Sequence, residues 1–136
     1  MLETRKEIEK TVLVYFSVKD GKNSYDHIQS LNELSSLAET AGAEVVKSFY
    51  QFSDNYGSRY MIGKGKVKEI AEYVEEHGIS AVIFENELSY THLRNLELEI
   101  KCKILDKSKL ILDIFANNAK TAQAKLQVEL AQLEYS

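Results

Sequence analysis

The sequence predicts an α/β fold: a four-stranded, mostly parallel sheet built in βαβαβαβ order, with helices on both faces and a long helix at the C-terminal end. Three observations carry this. Thr11–Val18 (TVLVYFSV) and Ile79–Phe84 (ISAVIF) are nearly unbroken apolar, β-branched runs, the pattern of strands buried on both faces. Between them lie segments of ten or more residues with helical apolar spacing, which is the alternation of parallel-sheet units. The 136 residues contain no proline, consistent with regular elements joined by glycine- and asparagine-bearing turns.

Taken in order, residues 1–10 (MLETRKEIEK) are charged and weakly patterned and read as a lead-in. The first strand ends at a turn, Asp20-Gly21 with Asn23. Helix one is predicted over Ser24–Thr40, with Ile28, Leu31, Leu34 and Leu37 inward and Gly42 as its stop. Ala43–Phe52 is strand two, and Ser53–Ile62 an irregular loop. Gly63-Lys64-Gly65-Lys66 opens helix two, which buries Val67, Ile70, Ala71 and Val74 and ends at His77-Gly78. Strand three is Ile79–Phe84. Ser89 is placed to cap helix three, with Leu93, Leu96 and Ile100 inward. Lys103–Leu105 is a short fourth strand, and Asp106 caps a helix running through Phe115. Asn117-Asn118 breaks that helix before Thr121 caps the last one. Two regions follow: an α/β domain over 1–106 and the start of a helical linker over 107–136.

In the last helix Ala122, Leu126, Leu130 and Leu133 form one apolar stripe; Ala124, Val128 and Ala131 form a second on the opposite side. A helix apolar on two sides has to be covered on two sides. The expectation is the front end of a longer protein, cut within a helix, whose exposed stripe pairs with a second copy or frays beyond about Leu126.

Composition narrows the function. The chain is 44% apolar and 28% charged, ordinary for a globular domain. One cysteine, Cys102, leaves no internal disulfide and no cysteine-based zinc cluster, and its apolar neighbours read as a buried, inert thiol. No apolar run approaches a membrane span and no leader opens the chain, so a reducing cytoplasm and no membrane partner are expected. The net charge of −4 is divided into blocks. Gly57–Lys68 carries Arg59, Lys64, Lys66 and Lys68 with no acid. Glu69–Glu99 carries eight glutamates against Arg94 alone. A basic surface can therefore coexist with an acidic total.

In open parallel sheets the functional crevice lies beyond the carboxyl ends of the strands. Here that selects the loops at 17–23, 53–66 and 85–89. GKGK suggests an anion held at a helix N-terminus, with Lys64 and Lys66 adding charge. It is not a Walker A loop, because Gly65 follows Lys64 where Ser or Thr is required. It also fails GxGxxG at Lys68. A tight loop with solvated lysines is the plain alternative. NYGSRYMIGKGK offers stacking planes at Tyr56, Arg59 and Tyr60 with charge at Lys64 and Lys66, a mixture that grips RNA; tyrosines folded back on the core are the alternative. His27, His77 and His92 show no ligand spacing, and Glu85 and Glu87 nothing that fixes them around a reacting atom. No catalytic set and no metal site is expected.

Three ordered stretches carry a family resemblance: RYMIGKGKVKEI (59–70), ENELSYTHLRNLE (85–97) and LDKSKLILDIFANNAKTAQAKLQVELAQLEY (105–135). Together they resemble the N-terminal part of HflX-type GTPases. The resemblance implies that the last helix is half of a helical hairpin ahead of a GTPase domain, and that the partners are the large ribosomal subunit, its RNA and that domain. GTP and Mg²⁺ belong to the GTPase domain, since no GxxxxGK[ST] and no NKxD occur in these residues. No cofactor is expected here; the alternatives are an ATP-binding domain using Gly63–Lys66 and a platform for the GTPase domain alone. Asn86, Glu87, Arg94 and Asn95 fall on motif positions, and with Tyr56, Arg59, Tyr60, Gly63, Lys64, Gly65 and Lys66 they complete the candidate RNA- or nucleotide-binding set. Tyr90 stands where the family has proline, Lys107 where it has arginine, and Asn117-Asn118 where an arginine is frequent.

Overall fold

In a computed structural model the described residues are 9–18, 24–53, 55 and 57–116, side chains being described from His27 onward in the first helix. The elements are β1 (Glu9–Val18), α1 (Ser24–Thr40), β2 (Ala43–Ser53), α2 (Lys64–His77), β3 (Ala81–Phe84), α3 (Tyr90–Ile100) and β4 (Lys103–Asp106). A fourth helical run, α4, occupies 107–116. Glu9 and Lys10, expected to belong to the lead-in, instead open β1 by pairing with Ala43 and Glu44. Residues 1–8, the turn at Asp20-Gly21, Asn117-Asn118 and the two-stripe helix from Thr121 lie outside the described residues.

The four strands pair in the order β2-β1-β3-β4, and every pairing is parallel. The expected α/β architecture is therefore present, with a sheet that is wholly parallel among the described strands. β1 is central and long because its side chains can be buried on both faces: Thr11 to Ser17 are all buried. Val12, Val14 and Phe16 point to one face, where they meet Val67 and Ile70 of α2 and Leu96 of α3. Leu13 and Tyr15 point to the other, against Leu31, Leu34 and Ala38 of α1. Leu110 and Ile114 of α4 join this second layer, so the described part of 107–136 packs on the sheet. Burying a large side chain of this kind is worth about 1.5–3 kcal/mol, and the two layers are what hold the loop ends in place.

Each strand differs slightly from the sequence-based expectation at one end: β1 begins two residues earlier, at Glu9, and β4 runs one residue further, to Asp106. Ile79 and Ser80 precede β3 rather than belonging to it, although the Ser80 N–H donates to Lys10 O at 2.8 Å. β2 runs one residue further, to Ser53, and carries an irregularity opposite Thr11/Val12. As an edge strand it is only partly covered, with Tyr50 and Phe52 exposed.

The order in which strands are added reverses between β1 and β3: the crossover through α1 leads outward to β2, and the one through α2 returns across β1 to β3. The loop at 85–89 leaves this point, and the loop at 57–63 leaves the neighbouring edge.

Candidate functional site

The loop after β2 is built from the inside. Tyr60, Met61 and Ile62 are consecutive and all buried, at 5%, 6% and 2% exposure. Anchoring three successive side chains forces the backbone into a tight return, with Met61 in the left-handed region at φ 72°. Gly57 closes the return: its N–H donates to Met61 O at 2.9 Å and its carbonyl accepts from Met61 N–H at 3.2 Å. A β-carbon at Gly57 would stand 3.3 Å from both the Met61 and Ile62 carbonyl oxygens, so a larger residue has to push backbone aside.

α3 holds this loop from the side. His92 Nε2–H donates to the Gly57 carbonyl at 2.9 Å, and Asn95 Nδ2 donates to the Arg59 carbonyl at 2.9 Å. The carbonyl can only accept, which fixes the proton on Nε2; Nδ1 is then buried without a partner. The second and first family-like stretches therefore touch, one holding the other.

Tyr60 does not supply the exposed stacking plane expected of it. Its ring lies in the core because the apolar Met61-Ile62 pair draws the whole segment inward. Arg59 stays exposed, its guanidinium carbon 5.5 Å from the Tyr60 ring centroid. Tyr56 lies outside the described residues.

GKGK forms the start of α2, with Gly63 as an extended N-cap that lacks a side-chain cap. Gly63 N–H is already taken, donating to Gln51 Oε1 at 2.7 Å. Lys66 is paired with Glu69 at 3.0 Å and leans toward Phe49 beside Lys47, on the β2 side of the helix. Lys64 and Lys68 point the other way, into a groove of about 360 Å³ that Tyr60 also lines. Gly65 faces open space.

At the strand-order reversal, Asn86 occupies the place of the next β1 partner. Its Oδ1 accepts from Phe16 N–H at 2.9 Å and its Nδ2 donates to Phe16 O at 2.7 Å. Asp106 closes the same loop, accepting from Leu88 N–H at 3.0 Å and capping α4 through Lys109 N–H at 2.9 Å. Glu85 lies 3.7 Å from Lys107. Ser89 caps α3 through His92 N–H at 3.1 Å, so Tyr90 in the proline position leaves the first turn formed. Glu87 and Arg94 are exposed. Asn86 and Glu87 thus lie on a different loop from Arg59, Tyr60 and Lys64, and Asn86 has both polar atoms engaged in the sheet.

Sequence reasoning passed over Lys68 and His92 as site residues. Lys68 was legible, four residues from Lys64 on one helical face. His92 was not, because its partner Gly57 is 35 residues distant. Burial pushes the Cys102 thiol up to about 11, which fits the inert role expected of it. Among the described residues no helix is long and apolar enough to cross a membrane.

The family model for the GTP-binding GTPase N-terminal region matches residues 28–116. The chain is 44% identical over 127 residues to the GTPase HflX of Flavobacterium psychrophilum, covering 93% of this chain and 30% of that protein. To the GTPase HflX of Escherichia coli K12 it is 41% identical, covering 93% of this chain and 29% of the relative. It therefore spans about 30% of the length of these relatives. A solved GTP-binding protein from Sulfolobus solfataricus in complex with GDP superposes with a TM-score of 0.59 at 29% identity, over 92% of this chain and 36% of that one. On these matches the chain belongs to the HflX-type GTPase family and corresponds to its N-terminal domain.

Proposed function

We propose that this domain is the RNA-facing part of a GTPase that associates with the large ribosomal subunit. GTP and Mg²⁺ bind, and GTP is hydrolysed, in a separate GTPase domain, which is also the domain's partner within the intact protein. The family membership supports the GTPase assignment. The observation that carries RNA contact is the placement of Arg59, Lys64 and Lys68: all three are exposed, none forms an ion pair among the described residues, and they surround a loop fixed by His92 and Asn95. Cations left unpaired on a rigid support suit phosphate contacts, which supply most of the affinity for nucleic acid. The ATP alternative at Gly63–Lys66 has less to work with, since Gly63 N–H and Lys66 both have partners within the chain.

Co-sedimentation of the 136-residue chain with purified large ribosomal subunits tests the reading. Binding is expected that weakens as salt rises, and the chain alone is expected to show no turnover of a fluorescent GTP analogue. Failure to sediment with subunits at low salt, or GTP hydrolysis by these residues alone, would overturn it.

A further inference from the structure

The groove between α2 and α3 is lined by Tyr60, Val67 and Ala71, with Lys64 and Lys68 at one end and Glu72, Glu75 and Glu99 at the other. Along α2 the charged residues fall at steps of four, four and three, so they share one face of the helix. The order is unfavourable for the helix alone. The first turn has no acidic residue and starts with Lys64, although the positive end of a helix favours acids. Lys68 precedes Glu72, the weaker order for a pair four apart, and no Lys68–Glu72 ion pair forms.

Tyr60 adds an independent observation. It is 5% exposed, it lines the groove, and its hydroxyl has no hydrogen-bond partner among the described residues. The Tyr60 hydroxyl is not among the sealed, unsatisfied polar atoms, so it reaches the groove with its hydrogen-bonding capacity unused by the protein.

We infer that Tyr60, Lys64 and Lys68 form a seat for one RNA phosphate, with Arg59 beside it for the next. This rests on the RNA-facing reading of the domain and goes further, because it selects the atoms and the path. The tyrosine hydroxyl donates to a phosphate oxygen, and two ammonium groups flank it. Lys66, although central to the sequence motif, is excluded: it lies on the other side of α2 and is neutralised by Glu69. Glu72, Glu75 and Glu99 repel a second phosphate further along the groove. The RNA backbone therefore crosses the N-terminal end of α2 toward Arg59 and does not run along the helix.

Fluorescence anisotropy with a labelled single-stranded RNA oligomer, titrated at several salt concentrations, tests this. Lys64→Ala with Lys68→Ala should weaken binding about tenfold or more and reduce the log–log salt slope by about 1.4, two contacts at ~0.7 each for a single strand. Tyr60→Phe keeps the packed ring, so its melting temperature should match the parent. It should bind three- to tenfold more weakly at unchanged salt slope, because a hydroxyl displaces no counterion. Lys66→Ala should change little. If the parent chain binds RNA and these variants bind as it does, the seat is wrong and the RNA-facing reading stands. If the parent chain binds neither RNA nor ribosomal subunits, that reading itself fails. Binding of ATP by a chain that ignores RNA would assign the seat to a nucleotide and overturn the inference.

Discussion

The loop after β2 and the loop after β3 leave the same end of the sheet, yet they use their polar groups in opposite ways. After β3, the first polar side chains turn inward: Asn86 completes the β1 edge and Glu85 faces Lys107, while Glu87 stays exposed and Asp106, at the end of β4, takes the Leu88 N–H. After β2, the backbone is satisfied by side chains brought from elsewhere, namely His92, Asn95 and Gln51. The loop's own charged side chains are left outward. At the switch point, where open α/β sheets usually hold a ligand, the Asn86 amide takes both backbone groups of Phe16. Occupying a motif position near a crevice is thus not the same as contacting a ligand; what distinguishes the two loops is which polar groups are already used.

Asn86→Ala should break the inward loop with the largest effect. It removes two hydrogen bonds and leaves Phe16 N–H without the Asn86 acceptor at the end of the central strand. At about 1–1.5 kcal/mol per part-buried bond, a loss of about 2–3 kcal/mol is expected in urea denaturation, with the denaturant slope unchanged. RNA affinity of the folded molecules should stay at the parent value. A weakened affinity without loss of stability would mean that Asn86 contacts the ligand directly and that the contrast between the loops is false.

A smaller, differently directed effect is expected at the brace. His92→Ala removes one of two donors to the Gly57 carbonyl, which keeps Met61 N–H. It also removes a buried Nδ1 that has no partner. The net cost should be about 1 kcal/mol, accompanied by faster amide exchange at Met61. Because the brace positions Arg59, RNA binding should fall along with it, whereas Asn86→Ala leaves it intact.

The sheet was largely legible in the sequence, because burial on both faces demands unbroken apolar runs and both central strands show them. Ser89 and Gly78 were legible because cap chemistry is local. The basic block 59–68 was legible as charge, but not as geometry. Which lysine is free depends on Glu69 and on the groove face of α2, and the Tyr60 ring goes inward because Met61 and Ile62 do. Asn86 and His92 act over 70 and 35 residues of sequence, distances at which no periodicity reports.

The smallest effect sharpens the comparison through the helix that serves both loops. α2 and α3 end alike, with a left-handed residue whose N–H donates back to the carbonyl four residues earlier. In α2 that residue is Gly78, at φ 62° and ψ 43°; in α3 it is Lys101, at φ 63° and ψ 36°. A residue with a β-carbon is penalised there by about 1–2 kcal/mol, part of which glycine loses again through its freer unfolded chain. Lys101→Gly should therefore raise stability by about 0.5–1 kcal/mol. Gly78→Ala should lower it by a similar amount, since open space around Gly78 leaves only the backbone term. Lys101 is exposed and outside the groove, so its replacement should firm both loops while leaving RNA affinity and salt slope at the parent values. A drop in affinity for Lys101→Gly would place the RNA along α3 as well and extend the footprint beyond the α2 terminus.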